Sequence, residues 1–372
     1  MRKKQVIYHG YNSVFNIKDI LQKEKVKKIF IVCGESYKRF PVKEFIEKLG
    51  IPIIYFSSFS ANPAFESVLL GIDILRKEDC DFIISIGGGS AIDVAKGINA
   101  YISQEETIDI QQAIQSVRFK HLAIPTTAGT GSESTHFAVI YNQGEKISIE
   151  HPDLIPDYVI LDPQFLAYLP EYHKKATMLD ALCQSIESLW SINSTEESKS
   201  YAKKSLEMTL KNITPYFEGD KESMSEMLLA ANYSGRAINI SKTTAAHAMS
   251  YKLSSMYGIA HGHAVALCLS YVWEYMLKHK NQIIDGYDTA RFEGSLKLIN
   301  SCFGETKSDM DSLQDFRHIL KKMKFEPLKL KTPLHIKVLS ESVNQQRLAN
   351  NPIFLTDEGI REIYRQIFTM TH

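Results

Sequence analysis

The sequence predicts two domains: an α/β domain on a parallel sheet over residues 1–164, then an all-α domain over 165–372. Two patterns carry that reading. Up to Pro163, short apolar runs alternate with helical segments, the signature of βα units whose strands are buried on both faces. From about Leu166 onward nearly every segment has helical periodicity, with breaks expected at Pro170, Pro215, Gly219, Gly258, Gly304, Pro327 and Pro352.

In chain order, Lys28–Gly34 is an apolar run stopped by glycine, and Pro52–Phe56 is a second. Phe65 to Arg76 has helical spacing, and Asp81–Ile86 is a third buried strand. Leu122–Pro125 and Tyr158–Leu161 read as two more. Directly after the third strand comes Gly87-Gly88-Gly89-Ser90, followed by a helix beginning at Ala91. Three glycines let a backbone approach a ligand closely, and a new helix turns free N–H groups and the positive end of its dipole toward an anion. Ser90 can cap that helix or bond a phosphate. A second glycine-rich loop, Pro125 to Glu133, also follows a strand and offers hydroxyls and exposed backbone. Two such loops at the carboxyl ends of parallel strands predict a nucleotide site, because that edge is where open α/β sheets hold ligands.

In the second domain, Ala245, Ala246, Ala248 and Met249 favour a helix through His247 and Tyr251, which are four apart and share a face. Gly258 and Gly262 read as a break, and His261 starts the next apolar helix. Two helices meeting at a turn can aim His247 and His261 at one point, as metal ligands do; the alternative is ordinary polar residues at helix ends.

Bulk properties bound the function. The chain has 372 residues, 44% hydrophobic and 23% charged, with 43 basic and 43 acidic side chains. That balance argues against bulk attraction to nucleic acid or anionic membrane. Cys33, Cys80, Cys183, Cys268 and Cys302 are odd in number and far apart with no CxxC, which predicts reduced thiols and a cytoplasmic location. The basic start, Met1-Arg-Lys-Lys, leads into a stretch too short and polar for a signal core. No run approaches the roughly 18 to 20 apolar residues of a membrane span.

Gly87 to Lys96, Thr126 to Glu133, Leu179-Asp180-Ala-Leu and the pair His247/His261 occur in this order along the chain. With Asn62-Pro63, Leu161-Asp162-Pro163 and Asn351-Pro352, the whole sequence resembles the iron-containing (group III) alcohol dehydrogenases, whose fold is dehydroquinate synthase-like. The resemblance implies a dinucleotide in a cleft between the domains and a divalent metal beside the nicotinamide. It implies that Asp180, His247 and His261 are metal ligands. It also implies cofactor contacts at Gly87, Gly88, Gly89, Ser90, Asp93, Thr126, Thr127, Thr130, Ser132 and Lys146. A carboxylate and two imidazoles would leave a coordination position for substrate, as a catalytic metal needs.

The chain departs from that family's pattern in four places. Where the family often has a third histidine, Gln184 stands; it either ligates weakly through its amide oxygen or serves another role, and the metal is Fe2+ or Zn2+. Where another histidine is common, Tyr251 stands, a proton donor to substrate or a packing residue; His263 nearby is a candidate proton relay. After the first of these strands, Gly34 replaces the acidic residue of NAD-preferring relatives, and with Ser36, Lys38 and Arg39 it favours NADPH over NADH despite Glu35. Before His247, relatives usually have small residues, whereas this chain has Lys242, Thr243 and Thr244, with Arg236 upstream. Such groups suit an anionic substrate, although Lys242 could equally be a solvated lysine.

The expected activity is reduction of a small aldehyde to a primary alcohol by NAD(P)H with a metal. Among subgroups of the family, the pattern is most similar to phosphonoacetaldehyde reductases, which form 2-hydroxyethylphosphonate. The alternatives are a propanediol- or butanol-type dehydrogenase with a neutral substrate, a lyase of the dehydroquinate synthase type, and a non-catalytic nucleotide-binding homologue. Relatives are commonly dimers or larger, so a homo-oligomer is expected.

Overall fold

The computed structural model describes residues 5–104, 108–110, 114 and 116–369; the basic start of the chain lies outside them. The chain divides into two compact units, one of residues 1–170 and 215–235, the other of 171–214 and 236–372. The boundary expected after residue 164 falls within a 3-10 turn, Pro163–Tyr168.

Among the described residues, the first unit has eight strands: β1 (Val6–His9), β2 (Ile29–Cys33), β3 (Ile53–Phe56), β4 (Phe82–Gly87), β5 (Lys120–Pro125), β6 (Phe137–Asn142), β7 (Glu145–Glu150) and β8 (Tyr158–Leu161). Six of them form one sheet in the order β1-β8-β5-β4-β2-β3, every neighbouring pair parallel. All five residues of β2 are buried, so alternate side chains serve two cores. Phe30 and Val32 pack with helices α3 (Phe65–Glu78) and α4 (Gly89–Tyr101). Ile29, Ile31 and Cys33 pack on the other face with α1 (Ile17–Lys23) and α2 (Val42–Glu47).

Strands β6 and β7 form a separate antiparallel hairpin with the turn Gln143-Gly144, both at positive φ. Neither β1 nor the hairpin follows from the pattern of buried runs. Val6–His9 is a half-exposed edge strand, and β6 alternates in burial where the central strands do not.

The remaining helices are α5 (Glu171–Trp190), α6 (Glu196–Glu218), α7 (Lys221–Ser241), α8 (Ala245–Tyr257), α9 (His261–Lys278), α10 (Thr289–Phe303), α11 (Asp309–Lys322), α12 (Leu334–Glu341), α13 (Gln345–Leu348) and α14 (Asp357–Thr369). In the second unit α9 packs against α5, α8 and α14. It is buried along most of its length, as a helix apolar on nearly all sides must be.

Two expected breaks are not breaks. Pro215 lies inside α6, where the missing N–H forfeits a single helical bond in the last turn before Gly219 ends the helix at positive φ. Gly262 lies in the first turn of α9 rather than before it. Gly258 does end α8, as its left-handed C-cap. Among the described residues, no helix is long and apolar enough to cross a membrane.

Candidate metal centre and cofactor-binding loops

In the first unit, β2 leads out to β3 on one side, while β4 leads to β5 on the other. The loops after β2 and β4 therefore diverge, which opens a crevice at the carboxyl ends of these two strands. Gly34, in extended conformation, follows β2 and precedes a 3-10 turn, Glu35–Arg39, that carries Ser36 and Lys38. The Lys38 ammonium pairs with Glu35 at 2.5 Å, both side chains being exposed. Gly87 ends β4, Gly88 is the N-cap of α4 and Gly89 its first residue. Ser90 does not cap this helix: its hydroxyl donates to the Ala61 carbonyl at 2.5 Å.

The second glycine loop lies against the first. A Cβ on Gly88 would stand 3.3 Å from the Thr127 side chain, and one on Gly89 2.9 Å from that of Thr130. Thr126 joins the ends of β4 and β5 by donating its N–H to the Gly87 carbonyl at 3.0 Å. Gly131, at φ +60, meets Gly235 of α7 backbone to backbone, where a Cβ would lie 2.5 Å from the Gly235 Cα.

This loop is anchored from beneath by α4. The ammonium of Lys96, wholly buried, donates to the carbonyls of Ser132 (2.5 Å), Thr135 (2.7 Å) and Phe137 (2.9 Å) and contacts the Thr135 hydroxyl. Burial pulls the Lys96 amine down to about 8, against the charges of Asp93 and Glu133. Asp93, one turn before it, accepts from the Ser132 hydroxyl (2.9 Å) and the Val139 amide (3.1 Å). Burial raises its carboxyl above the ordinary value, opposed by Lys96, these two donors and Lys146 on β7. In this arrangement Asp93 and Ser132 hold the loop in shape. Lys96, absent from the residues singled out in the sequence, is the centre of that scaffold. An ammonium buried among carbonyl-rich turns has a faint sequence signal: a lysine within an otherwise apolar helix, three residues after an aspartate.

In the second unit, α5, α8 and α9 bring three side chains to one place. His247 Nε2 lies 3.5 Å and His261 Nε2 3.8 Å from Asp180 Oδ1. One donor atom from each of the three falls within 4.8 Å of the others. Asp180 and His247 are buried, whereas His261 is 37% exposed at the rim. Nε2 of His247 is buried with no hydrogen-bond partner. A carboxylate and two imidazoles converging around such an atom fit a divalent ion.

The close approach of α9 to α5 rests on Gly262. A Cβ there would lie 2.0 Å from the Ala176 carbonyl oxygen and 2.8 Å from the Asp180 Cβ. Its neighbour His261 thereby reaches Asp180. Reading Gly262 as a helix breaker missed this use of a missing side chain.

Glu187 was also missed. It lies two turns after Asp180 on α5, with Gln184 between them on the same face, and is wholly buried. Its Oε2 accepts from His247 Nδ1. Its Oε1 accepts from the amides of Thr244 (3.1 Å), Ala246 (3.0 Å) and His247 (3.3 Å), and from the Thr244 hydroxyl (2.7 Å). Burial alone would lower the His247 imidazole, but the charges of Glu187 and Asp180 outweigh it and hold it up at about 9. The seven-residue spacing from Asp180 was the available signal.

Tyr251, one turn after His247, stacks on the His261 ring at 5.7 Å with an interplanar angle of 20°. Gln184 is buried one turn after Asp180. His263 is buried, stacked on Phe325 at 3.9 Å, with Nδ1 3.2 Å from the Tyr172 hydroxyl. Arg236 places its guanidinium over the Tyr201 ring at 5.7 Å. Thr243 is buried, and its carbonyl accepts from Asn350 Nδ2 at 2.9 Å. Lys242 occupies the turn between α7 and α8 at φ +60, a left-handed conformation that costs an L-residue about 1 kcal/mol.

The family profile for iron-containing alcohol dehydrogenase matches residues 4–163, and that for the C-terminal part of the Fe-containing alcohol dehydrogenase family matches residues 174–368. The chain belongs to the iron-containing alcohol dehydrogenase family. It is similar to an NADPH-dependent butanol dehydrogenase of Clostridium saccharobutylicum, 26% identical over 97% of this chain and 96% of that protein. It is 33% identical to a phosphonoacetaldehyde reductase of Streptomyces viridochromogenes over 54% of either chain. The crystal structure of a sulfoacetaldehyde reductase from Bifidobacterium kashiwanohense with NAD+ superposes with a TM-score of 0.87 at 25% identity, covering 100% of this chain and 98% of that one. As a member of this family, the protein is an NAD(P)-dependent alcohol dehydrogenase or aldehyde reductase that uses a divalent metal.

Proposed function

We propose that this iron-containing-type dehydrogenase reduces a small aldehyde bearing a tetrahedral oxyanion, phosphonoacetaldehyde being the substrate its residues favour, to 2-hydroxyethylphosphonate. The observation that carries this reading is Lys242. A lysine in a left-handed turn is kept at a backbone cost, five residues before the ligand histidine of α8. Its ammonium and the neighbouring Thr243 supply the charge and hydroxyl that a phosphonate or sulfonate needs, and Arg236 adds a second cation on α7. The names of two relatives, a phosphonoacetaldehyde reductase and a sulfoacetaldehyde reductase, agree with an anionic substrate.

In this reading Asp180, His247 and His261 hold Fe2+ or Zn2+, because imidazole donors select these ions over Mg2+ and Ca2+. Gln184 lies close enough in sequence and on the right face to assist. The ion supplies Lewis acidity toward a carbonyl, and the reduced nicotinamide supplies the hydride. The residues do the rest. The two glycine loops hold the dinucleotide phosphates against the amides that open α4. Tyr251, stacked on His261, orients that imidazole and can give a proton to the product oxygen; His263, tied to Tyr172, is a relay candidate. The cofactor preference is NADPH, with Gly34, Ser36, Lys38 and Arg39 around the 2′-phosphate. The Lys38–Glu35 pair would have to open for Lys38 to take part.

Lys242→Ala keeps a Cβ in the same backbone conformation, so its effect isolates the ammonium. It is expected to raise KM for phosphonoacetaldehyde about 10- to 100-fold, the value of a charge-assisted contact of about 1.5–3 kcal/mol, and to leave KM for butanal near the wild-type value. Equal effects on both aldehydes would remove the anion pocket and favour a neutral substrate, which the butanol dehydrogenase relative supports. Lys38 and Arg39 changed together to Ala should weaken NADPH about 10-fold or more and NADH little, since only NADPH brings a 2′-phosphate. A parallel loss for both would discredit the NADPH preference.

A further inference from the structure

We propose that Glu187 is the positioning residue of the metal centre: it fixes which nitrogen of His247 faces the ion and anchors the turn that carries Lys242. The inference rests on the reading of Asp180, His247 and His261 as a metal site.

His247 is the third residue of α8, so its side chain leaves the positive end of a helix dipole. A helix start repels a cation by itself. The N-cap Thr244 makes no side-chain cap bond to its own helix. Glu187, reaching in from α5, takes that place. One carboxylate oxygen gathers three amides of the α8 start and the Thr244 hydroxyl, and it sets a full negative charge beside the site. The other oxygen takes the Nδ1–H of His247. A metal ion binds only the neutral imidazole; because Glu187 holds the proton on Nδ1, it is Nε2, buried without a hydrogen-bond partner beside Asp180, that would give up its proton and present a lone pair to the ion.

The end of α5 and the residue that follows it grip the preceding turn. The Ser191 hydroxyl donates to the Ser241 carbonyl (2.6 Å), the Ser241 hydroxyl to Ser188 Oγ (2.7 Å), and Trp190 Nε1 to the Thr244 hydroxyl (3.1 Å). Lys242 therefore stands on a turn clamped from both sides by the helix that bears Asp180 and Glu187.

Glu187→Gln keeps the size but not the function. Its single oxygen can serve the amides or the Nδ1–H, and its NH2 cannot accept from the group left over. The test is Co2+ binding to the metal-stripped full-length protein, followed by visible absorption. Glu187→Gln is expected to weaken Co2+ binding about 10- to 100-fold and to shift the Co2+ absorption bands. Thr244→Val removes one bond to the same oxygen but none to the imidazole. It should lower the melting temperature while leaving the Co2+ dissociation constant near the wild-type value.

Glu187→Gln that binds Co2+ as wild type does, or Thr244→Val that loses the ion to the same degree, would overturn the positioning role. Wild-type protein that takes up no Co2+ would instead overturn the metal site itself. Should Glu187→Gln fail to fold, zinc-loaded wild-type protein labelled with 15N-histidine answers the same question. His247 must show a protonated, slowly exchanging Nδ1 and a zinc-bound Nε2; zinc on Nδ1 refutes the proposal.

Discussion

His261→Ala is expected to lower the rate of aldehyde reduction about a thousandfold or more, because a Lewis-acid contribution of several kcal/mol disappears with the ion. Of the three converging side chains, His261 is the one whose loss the fold tolerates. It is the first residue of α9, its side chain is 37% exposed, and alanine is the best helix former. His247 is buried and bonded to Glu187, so replacing it would disturb α8 as well. Removing His261 leaves one imidazole, one carboxylate and, at most, the neutral amide of Gln184. The variant should purify with little metal, bind NAD(P)H as wild type does and melt near the temperature of metal-stripped wild-type protein. Retained metal with wild-type turnover would remove His261 from the ligand set.

Gly262→Ala is expected to be at least as damaging, by a different route. Helix propensity alone predicts stabilisation of about 1 kcal/mol, because glycine is a poor helix former. The structure reverses the sign. The new methyl would lie 2.0 Å from the Ala176 carbonyl oxygen and 2.9 Å from the Asp180 amide nitrogen, both on the backbone of a helix that cannot swing aside as a side chain would. Overpacking of this kind costs about 1–3 kcal/mol or more. The helices can relieve it only by separating, and separation carries His261 away from Asp180. Gly262→Ala should therefore lose stability, by urea denaturation, and metal affinity together. A variant more stable than wild type would show that α5 and α9 do not cross here.

These two neighbours show what could be read from the sequence and what could not. The sheet was legible because its strands are buried on both faces, which leaves unbroken apolar runs such as Ile29–Cys33. The hairpin of β6 and β7 was not, since Phe137–Asn142 is half-exposed and alternates too weakly between Thr135 and the turn at Gly144. Pro215 read as a break because local rules forbid proline within a helix. Its position in the last turn of α6 makes the loss small.

At the site, the imidazoles of His247 and His261 were visible as two histidines flanking a glycine break. Asp180 came from family resemblance, because nothing local distinguishes it from other helical aspartates. Glu187 and Gly262 act only across helix contacts. A glycine beside a histidine looks like a turn until a second helix is seen against it, and a buried glutamate looks like an error of patterning until five donors are found around it.

Asp180, His247 and His261 are expected to share one divalent ion. Anomalous diffraction from crystals of the metal-loaded protein, collected on both sides of the Fe or Zn absorption edge, tests it most directly. A single peak is predicted, about 2.0–2.2 Å from a carboxylate oxygen of Asp180 and from Nε2 of each histidine. A peak held by other residues, or a fully active crystal with no peak between these three side chains, would contradict it.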